Sequence, residues 1–252
     1  MKTSGGSDAM KRRAGESAAA AVSDGDVVGL GTGSTAAHAI RRLGDRVDAG
    51  LDVRGVPTSF ASRELAVEEA IPCLDLPDAV GPDGPGIDLA IDGADQVATG
   101  GGEEDTGSGA RGDAPVSGGA LIKGGGAAHA REKLVDAAAD RFLVVADPSK
   151  ESPRLDRSVP VEVLPAGRTA VAAAVREAGG EPTLRRAERK DGPVVTDNGN
   201  LVLDCAFGEI DAPASLAATL SSIPGVVEHG LFVGLADEIH VGTESGVRVD
   251  EA

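Results

Sequence analysis

The sequence predicts an α/β fold built on a mostly parallel sheet, with a second, smaller α+β module. Three observations carry the prediction. Short apolar runs at 26–30 (DVVGL), 87–91 (IDLAI) and 142–146 (FLVVA) alternate with helical stretches, the rhythm of a parallel sheet with helices on both faces. Glycine-rich joints lead from strand to helix at 31–34 and again at 124–126. Near Val159 the alternation stops, and Asn198-Gly199 between two apolar runs signals a hairpin and a different architecture.

Taken in order, a polar start gives way at 7–22 to a first helix with Ala-rich turns. Residues 26–30 form a buried strand that runs into the glycine loop 31–34 and a helix over 35–43. A second strand at 51–56 and a helix at 59–70 follow, then the strand 87–91, which ends on acidic residues. Leu121 and Ile122 lead into Lys123 and three glycines, a helix to Ala139, and the apolar strand 142–146. From Pro160 the pattern reads strand, helix (168–178), two strands around the Asn198-Gly199 turn, and a helix (214–222) ended by Pro224-Gly225. Short strands over 230–249 return to the first domain. The first domain is therefore expected to be Rossmann-like and to comprise 1–158 plus 228–252. The second, 159–227, is expected to be a ferredoxin-like α+β lid. Residues 98–119 (ATGGGEEDTGSGARGDAPVSGG) have almost nothing to bury and read as a surface loop.

Composition narrows the function. Aromatic residues are 2% of the chain, with no Trp or Tyr, so Val, Leu, Ile and Ala must fill the core. A stacking platform for single-stranded nucleic acid needs aromatic faces. The net charge of -17 repels a phosphate backbone, so no nucleic-acid partner is expected. Six Lys against eighteen Arg, 41 acidic residues and 36 Gly suit a high-salt cytoplasm, where screening makes the self-repulsion tolerable. No run of 18 apolar residues exists and 1–13 lacks the apolar core of a signal peptide, so no membrane association and a cytoplasmic location are expected. Cys73 and Cys205 stand far apart in apolar contexts and read as buried small hydrophobes. His38, His129, His229 and His240 are scattered without metal-ligand spacing, so no metal is expected.

Four segments carry candidate chemistry. Gly29 to Thr35 (GLGTGST) joins a strand to a helix, where free N–H groups attract an anion and Thr32, Ser34 and Thr35 add hydroxyls. Alone this is a weak signal, with a tight strand-to-helix turn as the alternative. No Gly-Lys-Ser/Thr follows, and Ser34 stands where the third glycine of a dinucleotide fingerprint belongs, so the loop suits a single phosphate. Asp92 and Asp95 in Asp92-Gly93-Ala94-Asp95 follow a strand, at the edge where open α/β sheets bind ligands, although a turn or capping role fits as well. Lys123 precedes Gly124, Gly125 and Gly126, and Glu132 follows in the next helix, where a solvated or ion-paired glutamate is the bland alternative. Lys150 ends the segment after strand 142–146, and Arg168 starts the second domain's first helix.

The blocks GLGTGST, DGAD, KGGGAAHAREKLV, FLVVADPSK, PVEVLP, VVTDNGN and IPGVVEHGLF run in this order from 29 to 232. Together they resemble the type A ribose-5-phosphate isomerases. The resemblance implies an aldose-ketose isomerase of the pentose phosphate pathway that interconverts D-ribose 5-phosphate and D-ribulose 5-phosphate, and agrees with a sheet domain plus a smaller α+β domain. It implies that Glu132 is the base, that Thr32, Gly33, Ser34, Thr35 and Lys150 contact the substrate, and that Asp92, Gly93, Ala94, Asp95, Lys123, Gly124, Gly125 and Gly126 line the same pocket. On this reading Lys123 stabilises an enediolate oxygen, and Asp92 and Asp95 handle hydroxyl protons. No cofactor is expected, the partner is a small sugar phosphate, and a homodimer or homotetramer is the expected assembly. Two departures stand out: Gln96 where the pattern has Glu, and 27 residues between Asp95 and Lys123 where the family has a short connection. A sugar-phosphate sensor is the rival reading, and it would not need the four acid-base groups.

Overall fold

The computed structural model of the protein describes residues 7–99, 119–189 and 191–252. In chain order its elements are α1 (Asp8–Ala20), β1 (Val27–Leu30), α2 (Ser34–Asp48), β2 (Arg54–Pro57), α3 (Phe60–Glu68), α4 (Leu76–Val80), β3 (Leu89–Gly93) and β4 (Gln96–Ala98). There follow β5 (Ala120–Ile122), α5 (His129–Ala138), β6 (Phe142–Ala146), β7 (Glu151–Ser152), β8 (Val159–Val163), α6 (Arg168–Glu177) and β9 (Glu181–Leu184). The last are β10 (Leu201–Ala206), α7 (Pro213–Ser221), β11 (Val226–His229), β12 (Leu231–Val233), β13 (Glu238–Gly242) and β14 (Val247–Glu251).

The chain divides into two compact units, the first made of Met1–Ala94, Arg131–Lys150 and Leu235–Ala252. The second is Asp95–Ala130 with Glu151–Gly234. This redraws the boundary expected from the sequence, because 95–130, 151–158 and 228–234 are counted with the second unit. The reason is a small sheet, β12-β5-β4-β7, whose strands come from separated stretches of those segments. The residues 100–118, most of the expected surface loop, lie outside the described residues.

In the first unit six strands run in the order β14-β13-β6-β3-β1-β2. All neighbours are parallel except β13 with β14. Parallel pairing puts the carboxyl ends of β1, β3 and β6 at one sheet edge, so Gly31, Asp92 and Asp147 follow or end strands on the same side. The central strands β1 and β6 are apolar throughout because both faces are covered, whereas the edge strand β14 (VRVDE) is largely exposed. Val28, Leu30, Ile91, Leu143 and Val145 pack with Ala14 and Ala18 of α1 and with Ile40 and Leu43 of α2. Ser7 caps α1, its hydroxyl accepting from the Met10 N–H, and Ser59 with Ser62 forms a reciprocal capping box at α3. Cys205 is buried as expected and its thiol is pushed up to about 12, by burial first. Cys73 is only half-buried.

His240 on β13 sets a pH dependence. Its Nδ1 meets the Ser17 hydroxyl at 2.9 Å and its Nε2 meets Glu238 at 3.2 Å. Burial holds the imidazole below its usual value, against the opposing pull of Glu238. A depressed histidine is protonated more readily in the unfolded chain, so its stabilisation is complete above pH 6.5, the reference value, and is lost as pH falls below it. The melting temperature is expected to decline below pH 6.5, and less steeply in His240→Gln; equal slopes in the two proteins would exclude His240 as the source.

The second unit holds β8-α6-β9-β10-α7-β11, with sheet order β11-β8-β10-β9 and every neighbour antiparallel. That is the ferredoxin-like arrangement. Val159, Val161, Val163, Leu203 and Cys205 of the sheet pack against Val171 and Val175 of α6 and Leu220 of α7. The Asn198-Gly199 turn forms, with Gly199 at φ +82°, closed by a Val195↔Leu201 bridge and by the Thr196 N–H donating to the Asn200 carbonyl at 2.9 Å, without a strand on its first side among the described residues. The ladder partners of β10 are β8 and β9, both earlier in the chain, because Pro193 and the polar 196–200 stretch cannot extend a strand. Among the described residues no helix is long and apolar enough to cross a membrane.

Candidate active site

In the first unit the site grows from the end of β1. The chain leaves Leu30 through Gly31, whose N–H donates to the Ile91 carbonyl, so it passes directly against β3. A Cβ on Gly31 would lie 2.2 Å from Asp92 Oδ1, and only glycine allows that approach. Asp92 is fully buried, and its Oδ1 accepts from the Thr32 N–H at 3.0 Å and the Gly93 N–H at 2.6 Å. Gly33 at φ +118° turns the chain into α2 as its N-cap, with no side chain capping the helix. The first N–H groups of a 15-residue helix therefore remain for an anion, with Ser34 exposed beside them and Thr35 buried.

Thr32 is tied to the next loop. Its hydroxyl lies 2.9 Å from Thr58 Oγ1 and donates to Ser59 Oγ at 2.7 Å, while Thr58 donates to the Leu30 carbonyl. Thr58 and Ser59 were not singled out by sequence reasoning; a Thr-Ser pair before a helix signals only a cap. Glu132 occupies the first turn of α5 and is 3% exposed, which removes the solvated-helix alternative. Val135, one turn on, packs against Gly29 of β1, where a Cβ would meet it at 2.6 Å. At the end of β6, Asp147 Oδ1 accepts from the Ser149 N–H and hydroxyl, forming the turn that presents half-buried Lys150. Gly93, the last residue of β3, and Ala94 after it are half-buried.

In the second unit β5 delivers Lys123. Its N–H donates to the Gly230 carbonyl at 2.9 Å, and its ammonium sits 5.2 Å from the Phe232 ring centroid, a cation–π distance. At 2% exposure it is a fully buried charged side chain. Gly124, at φ +100°, has no room for a Cβ, which would lie 2.8 Å from His129 Nδ1. Gly125 is similar: its N–H donates to Asp95 Oδ2 at 2.6 Å and a Cβ would meet Asp95 Oδ1 at 2.6 Å. Gly126 is exposed. Arg185, just beyond β9, donates to the Gly124 carbonyl at 2.8 Å and is ion-paired with Asp204. Sequence reasoning did not find this residue, since an arginine after a strand carries no signal of its own.

The expected residues thus fall into two groups. Thr32, Gly33, Ser34, Thr35, Asp92, Gly93, Ala94, Glu132 and Lys150 belong to the first unit, and Asp95, Lys123, Gly124, Gly125 and Gly126 to the second. Arg168 is an exposed helix residue, and His129 is fully buried with Nε2 3.3 Å from the Glu228 carbonyl, a packing role. Gln96 is also structural: its amide donates to Asp156 at 2.6 Å and its oxygen accepts from the N–H groups of Asp156 and Arg157. A glutamate could accept those bonds but not donate the first. Among the described residues no three His, Cys, Asp or Glu side chains are grouped to hold a metal.

Residues 113–246 match the family model of ribose 5-phosphate isomerase A, phosphoriboisomerase A. Ribose-5-phosphate isomerase A of Halorubrum lacusprofundi is 78% identical over 249 residues, covering 99% of each chain. The structure of ribose 5-phosphate isomerase A from Methanocaldococcus jannaschii aligns with a TM-score of 0.84 at 40% identity, over 96% of this chain and 98% of that one. A D-ribose-5-phosphate isomerase in complex with phospho-erythronic acid aligns with the same TM-score at 38% identity, over 96% of this chain and 98% of that one. With this identity over nearly the full length of its relatives, the chain belongs to the ribose-5-phosphate isomerase A family.

Proposed function

We propose that the chain interconverts D-ribose 5-phosphate and D-ribulose 5-phosphate by moving a proton between C2 and C1 through an enediolate, with Glu132 as the base. The observation that carries this is the burial of Glu132 and Lys123, 3% and 2% exposed, in a protein that keeps most of its charge at the surface. Charged side chains are almost never fully buried unless paired, and burying them carries a desolvation cost that a surface position avoids. A carboxylate suits the task because it accepts the proton from one carbon and returns it to the next. Lys123 supplies positive charge for the enediolate oxygen, where a fixed charge in a dry site lowers the barrier most. Asp92 and Asp95 serve the hydroxyl protons, including ring opening; Asp92 is held by the Thr32 and Gly93 N–H groups and Asp95 by the Gly125 N–H. The α2 N-terminus with Thr32, Gly33, Ser34 and Thr35, together with Lys150, holds the phosphate.

The phospho-erythronic acid held by a solved relative carries a phosphate and an acid group, the two anionic features of an enediolate phosphate. It is the natural probe here: it should compete with ribose 5-phosphate. Incubation with ribose 5-phosphate should yield ketose, and no ketose would defeat the proposal. EDTA should leave turnover intact, because the acid-base groups are all side chains; loss of turnover restored by a divalent ion would favour a metal-assisted hydride shift. The proposed setting is the cytoplasm, in the non-oxidative pentose phosphate pathway, with a homodimer or homotetramer as the assembly.

A further inference from the structure

We propose that Arg185 is a positioning residue for the isomerase reaction: held by Asp204, it fixes the backbone of the Lys123–Gly126 loop from its carbonyl side. The inference rests on the reading of that loop as part of the active site. Arg185 follows β9 directly and its own N–H continues the ladder, donating to the Val202 carbonyl at 2.9 Å. Its guanidinium then divides its donors. Nε donates to both oxygens of Asp204, at 3.2 and 2.9 Å, and Nη2 donates to Asp204 Oδ1. Nη1 points the other way, to the carbonyls of Gly124 at 2.8 Å and Gly125 at 3.4 Å. The pair is shielded, with Arg185 13% and Asp204 32% exposed.

The loop needs such a fixture. Three consecutive glycines leave it with more backbone freedom than any other tripeptide, and no side chain of its own can hold it. Its N–H side is held by Asp95 through Gly125. Its carbonyl side is held by Arg185 and, at Gly124, by the Ala127 N–H at 3.0 Å. Because Gly124 is bonded directly to Lys123, and Gly125 carries the N–H that orients Asp95, a shift at these carbonyls moves two groups assigned to the chemistry. Only arginine can do this: its planar fork grips a carboxylate with one edge and has donors left for the loop, whereas a lysine ammonium is a single point.

The test is Arg185→Lys, with Asp204→Asn as the second variant, each assayed in molar salt for kcat, KM, melting temperature and exchange of the substrate's C2 proton with deuterated solvent. Arg185→Lys should lower kcat and proton exchange by on the order of 10²-fold, the usual cost of displacing reacting groups by an ångström. KM should stay within a few-fold, because the phosphate loop lies in the other unit of the chain. Asp204→Asn should weaken the same two quantities less, and the double variant should lose no more than Arg185→Lys alone, since the two side chains act as one unit. A lowered melting temperature with kcat and exchange unchanged in folded Arg185→Lys would overturn the inference and leave the pair a sheet brace. If Arg185→Lys does not fold, Asp204→Asn decides in the same way. Glu132→Gln run alongside separates the two readings: its failure to lose turnover sinks the site assignment, whereas its loss beside an intact Arg185→Lys sinks only the positioning role.

Discussion

Glu132→Gln is expected to lower turnover by roughly 10²–10⁴-fold, the contribution of a positioned general base. The substitution preserves shape and one hydrogen-bonding oxygen but removes basicity. Substrate affinity should change little, because the proposed phosphate site lies elsewhere, at the α2 N-terminus and Lys150. Thr35→Ala or Lys150→Ala should show the reverse pattern, with weakened binding dominating the loss. The deciding measurement is exchange of the C2 proton with deuterated solvent. Wild-type exchange in Glu132→Gln would assign the base to another group, with Asp92 or Asp95 next. A surface glutamate would have cost only a few tenths of a kcal/mol through a lost charge pair and nothing in turnover. At 3% exposure Glu132 is not such a residue.

The second large effect concerns the whole molecule. Dialysis from molar salt to about 0.1 M should unfold the protein and abolish activity, as the Debye length grows from about 3 Å to about 10 Å. Acidic residues number 41 against 24 basic ones, so each carboxylate begins to feel neighbours that the salt had screened. The core adds to the dependence. Phe142 and Phe232 are its only fully buried aromatics among the described residues, and apart from Cys205 the rest is Val, Leu, Ile and Ala. Small side chains bury less area each, and this burial is strengthened by salts excluded from the protein surface. Circular dichroism across a potassium chloride series reads the transition. An unchanged melting temperature and full activity at about 0.1 M would remove the halophilic reading.

The parallel sheet was legible because buried strands such as Phe142–Ala146 are continuous apolar runs of ordinary length. The sheet β12-β5-β4-β7 was not: its strands have two or three residues each, too short for any periodicity, and exist only through pairing between distant segments. The five-residue α4 was missed for the same reason. Site residues divide similarly. Lys123 stood out because three glycines follow it, whereas Glu132, which alone reads as a solvated or ion-paired helix residue, was singled out only through the resemblance to the isomerase family. Arg185, Thr58 and Ser59 owe their places to partners 19 to 61 residues away, and no local pattern announces such a meeting.

The close passage of Gly31 against Asp92 constrains how this enzyme can change. A methyl group at 31 would stand 2.2 Å from the carboxylate oxygen and 2.5 Å from the Asp92 Cα, so no rotamer of the aspartate relieves the clash. The two positions cannot drift independently. In a saturation library, almost every substitution at 31 should be lost by selection for activity, whatever its polarity or helix preference. Combining it with a smaller residue at 92 should recover at most soluble protein, because the backbone contact persists and the carboxylate is gone. An ancestor carrying a side chain at 31 would have needed a differently spaced β1 and β3, so this glycine dates the spacing of the sheet itself.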